Sequence, residues 1–214
     1  TSLPNGVPDT VAFNDTLTTT RKASLSGTFT IGGVGPDYVT FAAAVADLNA
    51  NGVCGPVVFN VRSGTYTGRI NLASIAGSSA ANTITFQSET GNRTDVVLTY
   101  SGTSTTDLGA VAMNGADYVT FRNMTIQGVG ASYATAVYFA GGSDYNTFEN
   151  CILRSTMNGT STYTSCVVST GGTDEYNTFR GNLFEGGYMG MYWFGTTYTV
   201  PGGERSTLIE NNTF

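Results

Sequence analysis

Four stretches in the C-terminal half of the chain repeat one alternation of apolar and polar residues. They read DYVTFRNMTIQG from Asp117, DYNTFENCILRS from Asp144, EYNTFRGNLFEG from Glu175 and RSTLIENNTF from Arg205. Aligned on the apolar residue that follows Thr or Leu, they place Phe121, Phe148, Phe179 and Ile209 at equivalent positions, 27, 31 and 30 residues apart. A strand-like unit at this spacing predicts a solenoid, whose stacked coils bury a continuous core that one coil cannot bury alone.

Each coil is predicted to contain three short strands, with a tight corner between the second and the third. Asn stands at this corner in three coils, as Asn123, Asn150 and Asn211, and Gly181 takes its place in a fourth. Asn tolerates the left-handed backbone that such a corner requires. Because neighbouring strands lie about 4.8 Å apart, we expect these amides to form a structural ladder of hydrogen bonds.

The residue after each anchor alternates in charge from coil to coil. The four residues are Arg122, Glu149, Arg180 and Glu210. Opposite charges suit adjacent parallel strands, whereas like charges would repel. The alternation therefore supports parallel, in-register stacking.

One amphipathic helix is predicted ahead of the coils, over about residues 38–51. Its apolar face is formed by Phe41, Val45 and Leu48, spaced as one side of a helix. Either Asp37 or Thr40 is expected to cap its start, and Gly52 supplies the stop. At the end of a strand stack, such a helix covers the open core, so we interpret it as an N-terminal cap.

The chain is accordingly divided into two parts. Residues 1–25 lack periodicity and are rich in Thr, Asn and Pro, so we expect an extended arm or linker. Residues 26–214 are expected to form the solenoid. The last coil stops at Phe214 without a closing element, and an uncapped coil exposes unpaired backbone groups. We therefore expect either a longer polypeptide or a partner that covers this end.

Composition agrees with a β-rich, turn-rich protein and excludes several functions. The chain has 214 residues, of which 40% are hydrophobic and 11% charged, with 28 Gly and a net charge of −6. It has no basic patch for nucleic acid, and no apolar run approaches the roughly 20 residues that span a bilayer. The opening at Thr1 without Met or a signal peptide is interpreted as a mature secreted protein. Cys151 and Cys166, in successive coils, either pair or remain buried thiols.

With these elements in view, the chain resembles the right-handed parallel β-helix, or pectate-lyase-like, superfamily over residues 27–214. The helix, the segment GTYTGRI from Gly64 and the Asn-cornered coils carry the resemblance. The implied fold is all-β, a right-handed parallel β-helix solenoid of about five coils with an N-terminal amphipathic capping helix.

A narrower resemblance concerns large secreted surface proteins of Bacteroidota. It rests on TIGG from Thr30, DYVTF from Asp37, GVCGPVVFNV from Gly52 and NTITF from Asn82. The resemblance implies an extracellular location and export by the type IX secretion system. Thr10 and Thr16 match the Asp-Ser/Thr-apolar pattern that is O-glycosylated in those bacteria, and they are otherwise plain linker residues.

The residues offer no obvious catalytic constellation. His is absent, which removes the usual general base and metal ligand. Asp117, Asp144 and Glu175 recur at one position before the second strand, so they are interpreted as turn residues. Calcium binding by Asp144 with Asp174 and Glu175 is the alternative, but the glycine-aspartate repeat of calcium-binding β-rolls is missing. We expect neither a metal nor a cofactor.

Aromatic residues give the other candidate site. Tyr138, Tyr192 and Trp193 are candidates for stacking on sugar rings, because alternation turns some residues of the fifth coil outward. The opposing interpretation is that half of them fill the core and the rest pack under a loop. The threonines are expected to be scattered among corners, which argues against the flat array that ice binding needs.

The sequence thus favours a non-enzymatic, extracellular β-helix segment of a large bacterial protein, acting as an adhesin, a stalk or part of a surface assembly. Its expected partners are surface glycans or other subunits, with no nucleic acid and no direct membrane insertion. The alternative is a carbohydrate-active enzyme, such as a polysaccharide lyase or hydrolase, or a sugar-binding module of the same fold.

Overall fold

The chain winds as a parallel β-solenoid of about six turns in the residues that the computed structural model describes, 23–195 and 205–214. In chain order the elements are β1 (Leu25–Ile31), α1 (Phe41–Asn51), β2 (Val53–Val61), β3 (Gly64–Thr67), β4 (Ile70–Ala73), β5 (Ile84–Ser88), β6 (Val96–Tyr100), β7 (Val111–Asn114), β8 (Val119–Arg122), β9 (Thr125–Gly128), β10 (Val137–Ala140), β11 (Thr147–Glu149), β12 (Ile152–Arg154), β13 (Val167–Gly172), β14 (Thr178–Arg180), β15 (Leu183–Glu185), β16 (Met191–Gly195) and β17 (Leu208–Glu210). A short 3₁₀ turn covers Thr162–Thr164.

The strands form three sheets that the chain visits in turn. Sheet 1 has the order β1-β2-β5-β8-β11-β14-β17, sheet 2 the order β15-β12-β9-β6-β3, and sheet 3 the order β16-β13-β10-β7-β4. The pairings between these named strands are all parallel. The predicted all-β parallel β-helix is therefore confirmed. It has about one turn more than expected, because β1 and β2 already belong to the stack.

A column of phenylalanine rings fills the core behind sheet 1. The aligned anchors Phe121, Phe148 and Phe179 are direct register neighbours, and Ile209 follows in the last strand. Adjacent rings of these three stack with centroids 5.3 Å apart and planes within 9°. Phe59 and Phe86 extend the column towards the N-terminus. In-register stacking buries identical side chains on top of one another, which explains the repeat.

Buried asparagines complete the backbone hydrogen bonds at both ends of the sheet 1 strands. The side-chain oxygen of Asn182 accepts from the Cys151 N–H at 2.8 Å, and its amide donates to the Phe148 carbonyl at 2.8 Å. The buried Asn146 and Asn177 and the half-buried Asn212 make the same pair of bonds, each to the coil before its own. Buried backbone groups must be paired, so these amides allow the chain to turn with its interior dry.

The helix α1 packs on β1 and β4 with its apolar face inward. Phe41, Val45 and Leu48 are buried, as predicted. The helix begins at Phe41, and Thr40 is the N-cap, since its hydroxyl accepts from the Ala43 N–H at 3.2 Å. Asp37 does not cap; it accepts from the Thr30 N–H at 2.7 Å. No helix within the described ranges is long and apolar enough to cross a membrane.

Candidate functional site

Sheet 3 is the only one of the three sheets whose strands carry no charged residue in the described part of the chain. Its strands read INLA, VAMN, VYFA, VVSTGG and MYWFG. Sheets 1 and 2 instead present ion pairs outward, such as Arg180 with Glu149 at 3.4 Å and Arg154 with Glu185. The outer surface of the solenoid therefore has one neutral face.

A cleft of about 150 Å³ opens on this neutral face. It is lined by Arg69, Asn71, Thr106, Ala112, Asn114, Tyr138 and Ala140. Alternation turns the strand residues among them towards the outer face, and register places Asn71 beside Ala112 and Ala112 beside Tyr138. The small alanines lower the floor between a tyrosine ring and two side-chain amides, which creates the depression.

The side-chain amides of Asn71 and Asn114 remain available to a ligand. No hydrogen bond joins the side-chain amide of Asn71 or Asn114 to another described residue. The Tyr138 hydroxyl lies 3.1 Å from Thr170 Oγ1, which fixes the ring beside the cleft. An amide offers both donors and an acceptor, so the two asparagines can bond a hydroxyl-rich ligand in several orientations.

One charged side chain, Arg69, lies at an end of the cleft. Its Nε donates to the Leu108 carbonyl at 3.1 Å, and Nη1 lies 3.4 Å from Asp107 Oδ1. The Asp107 carboxylate also accepts from the Tyr100 hydroxyl at 2.7 and 2.8 Å. These bonds lower the pKa of Asp107, mainly through Tyr100 and then Thr103. They also raise the pKa of Tyr100.

The aromatic residues of the last described coil divide between the surface and the core. The rings of Tyr192 and Phe194 stack with centroids 6.2 Å apart, and Phe194 is 44% exposed. Trp193 points inward, with its ring 5.0 Å from that of Phe139 and 5.7 Å from that of Phe179. Tyr138 and Tyr192 thus occupy the outer face, as a sugar platform requires. Trp193 does not, and it leaves the set of candidate binding residues.

Two larger cavities lie at the N-terminal end and have a structural explanation. One of about 310 Å³ runs between α1 and β3, lined mainly by apolar atoms around Phe41, Tyr66 and Leu98. The other, about 400 Å³, lies beside Phe29 at the edge strand β1. It borders Ala23, which adjoins a segment outside the described residues. Neither combines an outward-facing aromatic ring with side-chain amides, whereas the smaller cleft does.

The predicted Asn ladder is present in part. Asn123, Asn150 and Asn211 all have positive φ, and Asn150 Nδ2 donates to Asn123 Oδ1 at 2.9 Å. Gly181, also at positive φ, stands between Asn150 and Asn211 and interrupts the ladder. Sequence reasoning found this outer ladder and missed the buried asparagines of the inner one.

Sheet 1 carries two ranks, that is, two rows of outward-facing residues in register across its strands. One of them corrects the expectation that the threonines are scattered. Thr85, Thr120, Thr147 and Thr178 are consecutive register neighbours, so the threonines here are not scattered. The adjoining rank is polar and charged, from Gln87 and Arg122 onwards. A flat, uncharged threonine face is therefore still missing. Beside these ranks, the rings of Tyr118, Tyr145 and Tyr176 stack 4.8–4.9 Å apart.

The recurrent acids act as turn residues. Asp117 accepts from the Asp144 N–H at 2.8 Å, and Asp144 accepts from the Glu175 N–H at 2.7 Å. Asp174 is buried and binds the Ser143 N–H and the Ser169 hydroxyl. Burial raises the pKa of both Asp144 and Asp174. Within the described residues, no three His, Cys, Asp or Glu side chains come together as metal ligands.

The cysteines are free thiols in this structure. Cys151 and Cys166 are buried and Cys54 is exposed, so the two open alternatives resolve to buried thiols. Burial raises the pKa of Cys151 to about 12 and that of Cys166 to about 11. The candidate glycosylation residues Thr10 and Thr16 lie outside the described residues.

Comparison with known proteins finds two solved structures and corrects the expected role. No protein-family model matches the sequence, and no curated protein does. Two solved structures of the pectin methylesterase from Aspergillus niger are similar. For the deglycosylated form, identity is 18% and the TM-score 0.44, with 77% of this chain and 61% of that one covered. For the penultimately deglycosylated form, identity is 17% and the TM-score 0.46, with 90% and 78% covered.

At this identity, and with both TM-scores below 0.5, the likeness agrees with the parallel β-helix fold and shows nothing beyond it. In the first comparison the chain spans less than two thirds of the matched protein. Both structures are named as enzymes, which contradicts the expected non-enzymatic adhesin or stalk. The carbohydrate-directed alternative is the one retained.

Proposed function

We propose that this protein binds a polysaccharide chain along the outer face of sheet 3, as a carbohydrate-active protein of the β-helix fold. The observation that carries the proposal is the neutral cleft, in which an aromatic ring and two uncommitted amides surround an alanine floor.

The chemistry of the cleft suits a sugar ring. A tyrosine ring offers an apolar face to the C–H groups of a sugar, while its hydroxyl stays in polar surroundings. The amides of Asn71 and Asn114 supply donors and acceptors for sugar hydroxyls. The cleft has room for one such ring, about 150 Å³.

The arrangement of the strands suits a linear chain rather than a single sugar. Tyr192 stands two strands beyond Tyr138 in the same register row, which is about 9–10 Å along the solenoid axis. A polymer lying across the strands would contact the cleft first and then the stacked rings of Tyr192 and Phe194. Several weak contacts in a row would add up to a useful affinity.

Asp107, the carboxylate paired with Arg69 at the end of the cleft, accepts hydrogen bonds from the Tyr100 hydroxyl and from the N–H and hydroxyl of Thr103. An acid or base in catalysis must reach the scissile bond with a free oxygen. Binding is therefore the activity that the geometry supports best, and turnover is assayed alongside it.

The test is binding to a panel of neutral and acidic polysaccharides, including methyl-esterified pectin, by affinity electrophoresis and calorimetry. Tyr138→Ala is expected to weaken binding about tenfold, whereas Tyr138→Phe keeps the ring and retains most of it. Tyr176→Ala removes an exposed tyrosine that does not line the cleft, and it serves as the matched control. Release of reducing ends or ester groups is measured in parallel. The proposal fails if no polysaccharide binds, or if both alanine variants weaken binding equally.

An extracellular location is part of the proposal. The resemblance to secreted proteins of Bacteroidota, with export by the type IX system and O-linked sugars at Thr10 and Thr16, supports the same location. Mass spectrometry of the protein from its native source tests the two threonines directly.

A further inference from the structure

We propose that the sheet 3 cleft selects neutral sugars over uronic acids, and that Asp107 is the residue that sets this specificity. The inference rests on the proposed function and names the class of ligand for the same site. Its physical basis is the pairing of Arg69, the one charged residue in the lining, with a carboxylate just outside it.

The cleft has no free positive charge to offer an acidic sugar. Of its seven lining residues, six are neutral. The guanidinium of Arg69 is engaged on two sides, by the Leu108 carbonyl and by Asp107 Oδ1. Recognition of a carboxylate favours a planar guanidinium with an uncompensated charge, whereas Nε and Nη1 of Arg69 are already engaged and Asp107 offsets its charge.

Asp107 is held firmly in this position by its own neighbours. The Tyr100 hydroxyl lies 2.8 Å from Oδ1 and 2.7 Å from Oδ2 and shares its one proton between them, and Oδ2 also accepts from the Thr103 N–H at 3.1 Å and the Thr103 hydroxyl at 2.7 Å. The side chains of Arg69 and Asp107 are 22% and 25% exposed, so water screens the pair only partly. The carboxylate cannot swing away from Arg69 without losing these bonds.

The ionisation of Asp107 supports the same conclusion. Its pKa is lowered, first by the Tyr100 hydroxyl and then by Thr103. The group therefore stays negative at neutral pH and keeps Arg69 neutralised.

A uronic acid ring in the cleft would meet an unfavourable balance of charge. Its carboxylate would compete with Asp107 for Arg69 while facing the negative charge of Asp107 itself. Like charges brought together at a binding site discriminate strongly against the wrong ligand. A neutral ring carries no such penalty and gains the same contacts with Tyr138, Asn71 and Asn114.

The inference is tested with Asp107→Asn, which removes the charge and keeps the shape. An asparagine still accepts a hydrogen bond from Tyr100 or Thr103. Wild-type protein is expected to bind neutral glucans or galactans and not polygalacturonate. The variant should gain about tenfold in affinity for polygalacturonate with little change towards the neutral polymer. Glu89→Gln is the matched control, because it frees Arg62 from a 3.8 Å ion pair away from sheet 3 and changes the net charge equally.

Salt dependence and the wild-type preference provide a second readout if the variant does not fold. Binding of a neutral polymer should be insensitive to ionic strength, whereas binding of a polyanion weakens with added salt. Wild-type preference for polygalacturonate over every neutral polymer would overturn the inference and leave the proposed function standing. An equal gain in Asp107→Asn and Glu89→Gln would overturn the role of Asp107. No binding to any polymer would overturn the proposed function itself.

Discussion

The side-chain oxygen of Asn177 accepts a hydrogen bond from the backbone N–H of Asn146, one coil earlier, at 2.9 Å. The Asn177 amide also donates to the Ser143 carbonyl at 2.8 Å, and the side chain is fully buried. One side chain thus satisfies two backbone groups at a corner that water does not reach. The side chain is small, but the stability of the coil depends strongly on its amide.

Asn177→Ala should lower the free energy of unfolding by about 2–6 kcal/mol, because two buried groups lose their partners at about 1–3 kcal/mol each. Urea denaturation followed by circular dichroism gives the value. Asn150→Gly is the control: it removes an outer-ladder amide but keeps the left-handed corner, where φ is 49°. Its cost should stay within about 1 kcal/mol. Equal losses in both variants would contradict the role given to the inner ladder.

Gly181 interrupts the outer ladder at a position where Asn fits. Its φ is +65°, and an added Cβ would meet only Asn150 N, at 3.9 Å. Gly181→Asn should therefore leave stability unchanged or raise it by up to about 1 kcal/mol, through a new amide contact. Gly181→Val should cost about 1–2 kcal/mol or more, because a branched side chain opposes the left-handed backbone. Thermal unfolding of the two variants measures both effects. A Gly181→Val variant as stable as the wild type would refute the left-handed corner as the reason for glycine here.

The three thiols should differ sharply in reactivity. Cys54 is exposed, whereas Cys151 and Cys166 are buried. Native protein treated with a thiol reagent should therefore label once, at Cys54, and three times after denaturation. Peptide mapping identifies the sites. A second thiol labelled rapidly in the native state, or a Cys151–Cys166 disulfide under non-reducing conditions, would show that the core is packed differently.

The charged rank of sheet 1 should fix the register and add little stability. Arg180 lies 3.4 Å from Glu149 and 3.7 Å from Glu210, and its side chain is 46% exposed. Arg180→Gln should cost no more than about 1 kcal/mol. Arg180→Glu should cost about 1–2 kcal/mol at low salt, since three like charges then adjoin, and added salt should reduce the loss. A salt-independent loss in Arg180→Glu would point to packing as its cause.

The sequence predicted the stack because consecutive coils repeat the same side chain at the same place. Phe121, Phe148 and Phe179 align in the sequence and stack in the structure for one reason: a parallel, in-register sheet brings equivalent residues together. The Thr that precedes each Phe is repeated too. The threonine rank could have been predicted from the same alignment.

The inner ladder and the cleft were beyond that reasoning for different physical reasons. Asn146 and Asn177 follow Tyr in the repeat, but a buried amide contradicts the usual burial of residue types, and only the inward turn of the corner explains it. The cleft depends on a loop that brings Asp107 against Arg69, which is 38 residues away in the chain. Whether the Trp193 side chain points inward depends on the strand register of sheet 3, which the repeat does not reveal.

Alkaline pH should destabilise the protein through its buried thiols. The pKa of Cys151 is raised from 9.0 to about 12 and that of Cys166 to about 11, in each case mainly because burial disfavours the thiolate. Below pH 9 both the folded and the unfolded chain keep these protons, so their contribution is complete. Above it the unfolded chain ionises first, and stability falls by about 1.4 kcal/mol per pH unit for each thiol. Burial raises the pKa of Tyr66 as well, which lowers stability at alkaline pH in the same direction.

Urea midpoints measured between pH 8 and pH 11 should fall more steeply in wild type than in the double variant Cys151→Ala/Cys166→Ala. The Cys54→Ala variant controls for the loss of a thiol. A double variant with the full wild-type slope would show that the buried thiols are not its source.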